Sequence, residues 1–201
     1  MARTIGITGN IACGKTFVGQ LLLELGAERY IDADALVHRL YESGQPVAVQ
    51  VAQEFGPTVL AGDGSVDRKA LGAVVFRDVE ALRRLECIVH PAVSVLLLDE
   101  LATASETGIV IIDAVKLLEG QSGMLCQSKW LIICPQEQEL ARLMARNVLS
   151  EEEARTRLRA QPPVEPKFAL VDEIIDNGST REETRRQVIA AFERFVQKNP
   201  A

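Results

Sequence analysis

The sequence has few of the residues that support metal or disulfide chemistry. Its 201 residues include four cysteines and two histidines, and no two cysteines have C-x-x-C spacing. This argues against both a structural zinc site and a disulfide framework. We therefore expect reduced thiols in a cytoplasmic protein.

Long apolar runs and excess positive charge are also missing. No apolar stretch approaches the length of a transmembrane span, and the first residues lack the apolar core of a signal peptide. The formal net charge of -6 argues against a broad nucleic-acid-binding surface. We expect no membrane or nucleic-acid partner, and a monomer or weak homo-oligomer.

Short apolar runs alternate with helical patterns along the chain. Strands are predicted over residues 4–8, 30–31, 109–113, 130–134 and 170–176. Helices are predicted over residues 15–25, 136–161 and 179–198, with a mainly helical region from 35 to 91 and an amphipathic stretch over 79–104. This alternation predicts an α/β fold with a mostly parallel sheet. Pro91 is expected to bend the 79–104 helix or to begin a new one.

The glycine-rich stretch after the first strand carries the strongest chemical signal. Its G-x-x-x-x-G-K-T pattern, between a strand and a helix, is typical of a P-loop whose backbone N–H groups surround phosphate. Lys15 is expected to reach the β- and γ-phosphates of ATP, and the Thr16 hydroxyl to contact Mg²⁺. The predicted ATP-binding loop comprises Gly9, Asn10, Ile11, Ala12, Cys13, Gly14, Lys15, Thr16 and Phe17.

Two residues of this loop are unusual. Ala12 and Cys13 stand where many such loops have glycine and serine. Ala12 is compatible with the loop if its φ stays negative. The Cys13 thiol could be activated by the helix N-terminus and Lys15, or it could pack in the interior. The packing role is favoured.

Two carboxylates, Asp32 and Asp34, follow the second strand. A kinase needs a carboxylate close to the acceptor hydroxyl to orient it and take its proton. Aspartate is also a common helix N-cap. We expect one of the two to cap the next helix and the other to act on the acceptor.

An arginine-rich segment precedes a proline-rich stretch at residues 161–166. Arg142 and Arg146 are four residues apart and share a helix face. A solvated surface is one explanation for these arginines. A mobile lid that covers the phosphates is the other, and it is favoured by five arginines in one short segment: Arg142, Arg146, Arg155, Arg157 and Arg159.

The whole chain resembles the dephospho-CoA kinases, a family of P-loop kinases similar to nucleoside-monophosphate kinases. The motifs that carry the resemblance occur in order along nearly the full length. They are the loop beginning Thr8-Gly9, IDAD at 31–34, Phe55-Gly56, Asp63-Gly64, Arg68 with Leu71, Phe76, His90-Pro91, Leu117-Leu118-Glu119, Arg142 with Arg146, Gln161 and Asp172-x-x-Ile-Asp-Asn.

The resemblance implies ATP-dependent phosphorylation of the ribose 3′-hydroxyl of dephospho-CoA, with Mg²⁺ accompanying ATP. It implies a three-layer fold with five strands, comprising a core at about 1–34, 105–141 and 168–201, a helical substrate lobe at about 35–104 and a lid at about 142–167. The implied catalytic residues are Thr8, Lys15, Asp34 and Arg142, with Asp34 as the base. Further ATP-binding residues are Arg146, Asn177 and Gly178. The implied dephospho-CoA site comprises Asp32, Asp34, Arg68, His90, Leu117, Glu119 and Gln161.

Two positions qualify these expectations. His90 could serve as a base, but Asp34 already fills that role, and the His90-Pro91 pair is expected to fix a helix start. The family commonly has proline followed by Leu-Leu-Phe-Glu after the third strand, whereas this chain has DAVKLLEG at residues 113–120. The departure affects the acceptor side rather than the nucleotide site.

Three alternatives compete with this function. A related small-metabolite or nucleotide kinase would keep the ATP site and change the acceptor. A catalytically silent nucleotide-binding module would bind ATP without turnover. A GTPase-like switch is disfavoured, because the sequence has no convincing Asn-Lys-x-Asp motif.

Overall fold

The computed structural model describes residues 2–200. The chain divides into two compact units. Unit 1 comprises Met1–Ile31 and Leu101–Ala201, and unit 2 comprises Asp32–Glu100. Within the described residues, no helix is both long enough and apolar enough to cross a membrane.

A five-stranded sheet of order β2-β3-β1-β4-β5 forms the centre of the fold. Its strands are β1 (Arg3–Thr8), β2 (Arg29–Asp32), β3 (Ile109–Asp113), β4 (Ser128–Ile133) and β5 (Glu173–Asp176). β1 pairs in parallel with both β3 and β4, and β4 pairs in parallel with β5. The predicted α/β class with a parallel five-stranded sheet is confirmed.

Eight α-helices and three short 3-10 helices complete the described part of the chain. The α-helices are α1 (Lys15–Glu24), α2 (Ala33–Leu40), α3 (Pro46–Phe55), α4 (Arg68–Val75), α5 (Val79–Ala102), α6 (Gln136–Asn147), α7 (Glu151–Arg159) and α8 (Arg181–Lys198). The 3-10 helices span Pro57–Val59, Gln121–Leu125 and Glu165–Leu170.

The apolar strands explain where the core of unit 1 lies. All five residues of β3 are buried, as its continuous apolar sequence predicts. Side chains of β1 and β4 form one buried cluster with α1 and α8, which includes Ile5, Ile7, Trp130, Ile132, Leu22, Val188 and Phe195. Burying each large apolar side chain stabilises the fold by about 1.5–3 kcal/mol.

Several predicted helix boundaries are confirmed. α1 ends at Glu24 with Leu25 as its C-cap, and Gly26 follows with φ +105°. The Thr180 hydroxyl caps α8 by accepting a hydrogen bond from the Glu183 N–H at 3.1 Å. Both features satisfy backbone groups that a helix end leaves unpaired.

The expected helix start at His90-Pro91 is wrong. α5 continues through Pro91, although proline offers no N–H to the carbonyl four residues earlier. The buried side chains Val89, Val93 and Leu97 lie on both sides of that position. Their packing outweighs the loss of one hydrogen bond.

Candidate active site

The loop between β1 and α1 has the backbone geometry of a phosphate-binding site. Gly14 caps α1 with φ +104°, and a Cβ there would collide with the Asn177 side-chain amide. A Cβ at Gly9 would collide with the Ile132 carbonyl. In residues 2–200, the N–H groups of Gly14 and Thr16 have no acceptor in the protein, whereas the Lys15 N–H is hydrogen-bonded to the Cys13 thiol. These free donors at a helix N-terminus suit an anion.

The Cys13 carbonyl anchors this loop to the rest of unit 1. It accepts hydrogen bonds from Asn177 Nδ2 at 2.8 Å and from Arg142 Nη1 at 3.2 Å. The Asn177 Oδ1 in turn accepts from the Thr184 hydroxyl at 3.1 Å. Because a trans peptide directs its C=O and N–H oppositely, this anchoring points the Gly14 N–H away from Arg142 and Asn177.

Arg142 therefore lies beside the loop, as predicted. Its Nη2 also donates to the Asn177 carbonyl at 3.1 Å and to Gln138 Oε1 at 3.0 Å. Gln138 extends the network by donating to the Gly178 carbonyl at 2.6 Å. The network joins the predicted catalytic residue Arg142 and the predicted ATP-binding residues Asn177 and Gly178 to the P-loop. The role of Arg142 as a phosphate clamp stays a prediction.

The structure shows the backbone conformation of Ala12, and it distinguishes an activated thiol at Cys13 from a packing group. Ala12 adopts φ +63°, so the condition of a negative φ is not met and the residue is strained. Its methyl group packs with Ile11 against Leu143, which offsets part of the strain. Cys13 is 1% exposed, and burial raises its pKa to about 11. The thiol is a packing group, and the activated-thiol alternative is wrong.

Lys15 and Glu139 place opposite charges beside the loop. Lys15 Nζ donates to the Gly9 carbonyl at 3.1 Å. Glu139, in the first turn of α6, is 7% exposed. Burial raises its pKa to about 7, although the positive charges of Arg142 and Lys15 oppose the shift. The side chain is thus a buried acid within the electrostatic reach of the P-loop lysine.

The predicted lid segment packs directly on the P-loop. Ile11 and Ala12 contact the apolar cluster that α6 and α7 form around Leu143, Ala154 and Leu158. The Ile11 N–H donates to Gln161 Oε1 at 3.4 Å, and Asn10 Nδ2 donates to the Pro162 carbonyl at 3.5 Å. A pocket of about 380 Å³ lies here, lined in part by Asn10, Glu139, Arg159 and Gln161. Any motion of the lid would therefore disturb the loop.

Two further arginines of the predicted lid, Arg146 and Arg155, both lie on the exposed surface. The Arg155 side chain pairs with Glu151 at 2.7 Å, one turn away on the exposed surface of α7. Arg146 is also exposed and donates to the Asn147 side chain at 3.1 Å. The solvated-surface explanation fits Arg155 better than a lid role.

Thr16 is exposed at the start of α1, and the Phe17 ring lies 5.5 Å from the Arg181 guanidinium.

The segment after β3 lies beside the P-loop. The Thr8 hydroxyl donates to the Val115 carbonyl at 3.1 Å, and the Ala114 N–H donates to the Ile7 carbonyl at 3.1 Å. Thr8 is completely buried, so its side chain holds this segment rather than facing a ligand. Asp113, at the end of β3, accepts a hydrogen bond from the Tyr30 hydroxyl.

Four of the predicted acceptor residues lie in two stretches of the chain. Leu117 and Glu119 follow β3, whereas Asp32 and Asp34 lie at the end of β2 and the start of α2. Leu117 is completely buried, and its contribution to substrate binding stays a prediction. Glu119 is half exposed and forms an ion pair with Lys167. Asp32 caps α2 by accepting from the Ala35 N–H at 3.1 Å, so it is the capping carboxylate of the predicted pair. Asp34 follows it as an exposed residue in the first turn of α2.

Two further predicted acceptor residues lie within unit 2. Arg68 is the exposed first residue of α4, capped by Asp67. His90 lies in the middle of α5, where it is half-buried. Their contribution to substrate binding stays a prediction.

Sequence reasoning missed Gln138 and Glu139. Both precede Arg142 by one helical turn, a spacing that places side chains on neighbouring parts of a helix surface. That spacing was a usable signal for Gln138. The burial of Glu139 had no sequence signal, because acidic residues are almost always exposed.

The described residues contain no group of three or more His, Cys, Asp or Glu side chains arranged to hold a metal ion. Mg²⁺ commonly keeps several waters and binds through one or two protein oxygens plus substrate phosphates. The exposed Thr16 hydroxyl, directly after the Lys15 of the loop, fits such a site. A metal that arrives with ATP needs no larger protein cluster.

A P-loop between β1 and α1, in a parallel sheet of order β2-β3-β1-β4-β5, defines this protein as a P-loop kinase. A family model described as dephospho-CoA kinase matches residues 3–183. The chain belongs to the dephospho-CoA kinase family, and the resemblance seen in the sequence is confirmed.

Individual relatives agree with this assignment. Proteins named dephospho-CoA kinase from Symbiobacterium thermophilum and Geobacter metallireducens are 43% and 40% identical to the chain. The alignments cover 94% and 98% of this chain, and 80% and 98% of those proteins. A solved dephospho-CoA kinase from Campylobacter jejuni aligns with a TM-score of 0.67 and 29% identity, over 99% of this chain and 100% of that one.

Proposed function

We propose that the protein transfers the γ-phosphate of ATP to the ribose 3′-hydroxyl of dephospho-CoA, giving coenzyme A and ADP in the last step of coenzyme A synthesis. Membership of the dephospho-CoA kinase family supports the acceptor. The observation that carries the donor side is the pair of free N–H groups at Gly14 and Thr16, which face no acceptor among residues 2–200, at the N-terminus of α1.

The proposed ATP site lies entirely in unit 1. The loop amides and the N-terminus of α1 stabilise the phosphates, and Lys15 releases the Gly9 carbonyl to contact the β- and γ-oxygens. Arg142 covers the phosphates from α6, with Arg146 one turn further along. Asn177 and Gly178 lie near the adenine. Mg²⁺, bound with ATP beside Thr16, would neutralise charge on the phosphate oxygens.

On the acceptor side, Asp34 orients the ribose hydroxyl and takes its proton. Asp32 caps α2, and Asp34 lies exposed in the first turn of the same helix. Arg68, His90, Glu119 and Gln161 are proposed to contact dephospho-CoA. Thr8 supports catalysis indirectly by holding the Val115 carbonyl.

The remaining parts of the proposal concern the setting of the enzyme. We place it in the cytoplasm, since all four cysteines are free thiols, as in reducing compartments. We expect a monomer or weak homo-oligomer, which sedimentation of the purified protein would establish. The 142–167 segment is proposed to act as a lid that keeps water from the transferred phosphate.

The test is ATP-dependent phosphorylation by the purified protein with Mg²⁺, using dephospho-CoA, adenosine, AMP and shikimate as competing acceptors. We expect mass spectrometry to show one added phosphate on dephospho-CoA alone. Transfer to another acceptor would favour a related kinase. ATP binding without transfer to any acceptor would favour the silent nucleotide-binding module.

Asp34→Asn and Asp32→Asn form a matched pair of variants within this test. Loss of the base should lower kcat of Asp34→Asn by about 10²-fold or more, with little change in ATP binding. Asparagine caps helices as well as aspartate does, so Asp32→Asn should retain its fold and most of its activity. A near-normal kcat for Asp34→Asn would reject its role as the base.

A further inference from the structure

Lys167 is a cation in an unusually buried position. It lies in the 3-10 helix Glu165–Leu170, at the end of the lid segment, and is 6% exposed. Its Nζ lies 3.6 Å from Glu119 Oε1. A buried ammonium group requires a compensating charge, because removing it from water is costly. Glu119 supplies that charge from the segment that follows β3.

That segment, residues 114–120, is fixed at its beginning and in its middle. The Ala114 N–H donates to Ile7 and the Thr8 hydroxyl donates to Val115, both at 3.1 Å. The Leu117 side chain is completely buried. The ion pair with Lys167 then holds Glu119, close to the end of the segment.

The position of the segment in the sheet indicates which substrate it serves. The groups that surround the P-loop for ATP, Arg142 and Asn177, come from the side of β1 where β4 and β5 lie. Residues 114–120 follow β3, which is on the opposite side of β1. An acceptor that approaches the γ-phosphate from this side would meet residues 114–120.

We propose that Lys167 is a positioning residue for the acceptor, which acts by holding Glu119 and thereby residues 114–120 in the arrangement that binds dephospho-CoA. This role rests on the proposed function. It gives the lid segment two separate contacts, one to the P-loop through Gln161 and one to the acceptor segment through Lys167.

Lys167 and Glu119 differ in solvent exposure, so removing one charge should destabilise the protein more than removing the other. The exposed fractions of the Lys167 and Glu119 side chains are 8% and 50%. Glu119→Gln leaves a buried ammonium without compensation, whereas Lys167→Met leaves a carboxylate that water can solvate. Glu119→Gln should therefore lower the melting temperature more than Lys167→Met.

The test measures kcat, KM for each substrate and melting temperature for Lys167→Met, Glu119→Gln, the double variant and Lys167→Arg. Each charge-removing single variant should raise KM for dephospho-CoA about tenfold, with KM for ATP unchanged. The double variant should be no worse than the more impaired single variant, because both changes break the same contact. Lys167→Arg, which keeps the charge, should retain most of the wild-type KM.

Arg185→Met and Glu24→Gln provide the matched control. They break an ion pair in the same unit, with atoms 2.7 Å apart and side chains 49% and 55% exposed. Neither should change KM for dephospho-CoA.

Three results would overturn the proposal. The first is an unchanged KM for dephospho-CoA in Lys167→Met, even with a lower melting temperature and whatever the effect of Glu119→Gln, since that would make Lys167 purely structural. The second is additive effects in the double variant, and the third is an equal rise in KM for ATP. A wild-type enzyme that does not phosphorylate dephospho-CoA would instead overturn the proposed function, and this role with it.

Discussion

At the scale of single residues, Glu139 combines burial with a charge-bearing group. An acidic side chain in the first turn of a helix is ordinarily stabilised as the anion by the helix dipole. Here loss of hydration outweighs that effect and raises the pKa of Glu139 from 4.5 to about 7. The folded protein therefore binds a proton at Glu139 more tightly than the unfolded chain does.

This shift predicts how stability depends on pH. Between pH 4.5 and about 7 the folded state retains the Glu139 proton while the unfolded state loses it. The stabilisation of the folded state by the Glu139 proton is therefore fully present below pH 4.5 and is lost as pH rises through 7. Glu139→Gln should remove this loss, and should be more stable than wild type above pH 7 by on the order of 3 kcal/mol.

Urea denaturation of both proteins at several pH values from 5 to 8 checks this prediction. Glu137→Gln is the control, because Glu137 is an exposed acid in the same first turn of α6. A stability difference between Glu139→Gln and wild type that stays constant with pH would contradict the prediction.

At the scale of elements, the end of α6 is strained. Val148 terminates the helix in the left-handed conformation with φ +52°. This conformation is unfavourable for any residue with a Cβ, and more so for a β-branched one. The side chain is 94% exposed, so it has almost no packing to compensate for the strain.

Val148→Gly should therefore stabilise the protein by about 1 kcal/mol, after allowing for the greater freedom of glycine in the unfolded chain. Chemical denaturation measures the change. Ala160→Gly is a suitable comparison, because Ala160 ends α7 at φ -76° and its replacement relieves no strain. We expect that variant to be destabilised. Destabilisation of Val148→Gly as well would refute the strain argument.

The elements also show how far local sequence determines structure. The strands β3 and β4 follow from continuous apolar runs, IVII at 109–112 and WLIIC at 130–134, which suit strands buried on both faces. The continuity of α5 through Pro91 does not follow from local sequence, where proline predicts a break. The division of the 136–161 stretch into α6 and α7 does have a local signal, because Ser150 and Glu153 form the capping box that begins α7.

At the scale of the whole molecule, the two units hold different parts of the proposed machinery. The loop amides, Lys15, Arg142 and Asn177 all belong to unit 1, whereas Asp34, Arg68 and His90 belong to unit 2. Since a bound ligand suppresses local opening of the segments it contacts, the two substrates should protect different segments from hydrogen exchange.

A non-hydrolysable ATP analogue should slow amide exchange over residues 9–18, and dephospho-CoA should slow it within residues 32–100. Hydrogen–deuterium exchange with mass spectrometry resolves these segments. Lys15→Ala should lose the protection by the ATP analogue and keep that by dephospho-CoA. If the ATP analogue protected residues 46–90 while leaving 9–18 unchanged, the assignment of ATP to the P-loop would be wrong.

The sequence by itself determined the class of fold, the P-loop and the family. These rest on order and spacing along the chain: a strand, a glycine loop and a helix in succession are local features. The predicted capping role for one of Asp32 and Asp34 has the same basis, because a cap depends on residues three positions away.

Only the tertiary structure decided the features that depend on distant neighbours. Ala12, with its positive φ, packs against an apolar cluster of α6 and α7, more than 120 residues later in the chain. The inert thiol of Cys13, the raised pKa of Glu139 and the pairing of Lys167 with Glu119 all result from burial. Burial is set by what folds over a side chain, and hydration is lost only when those remote segments come together.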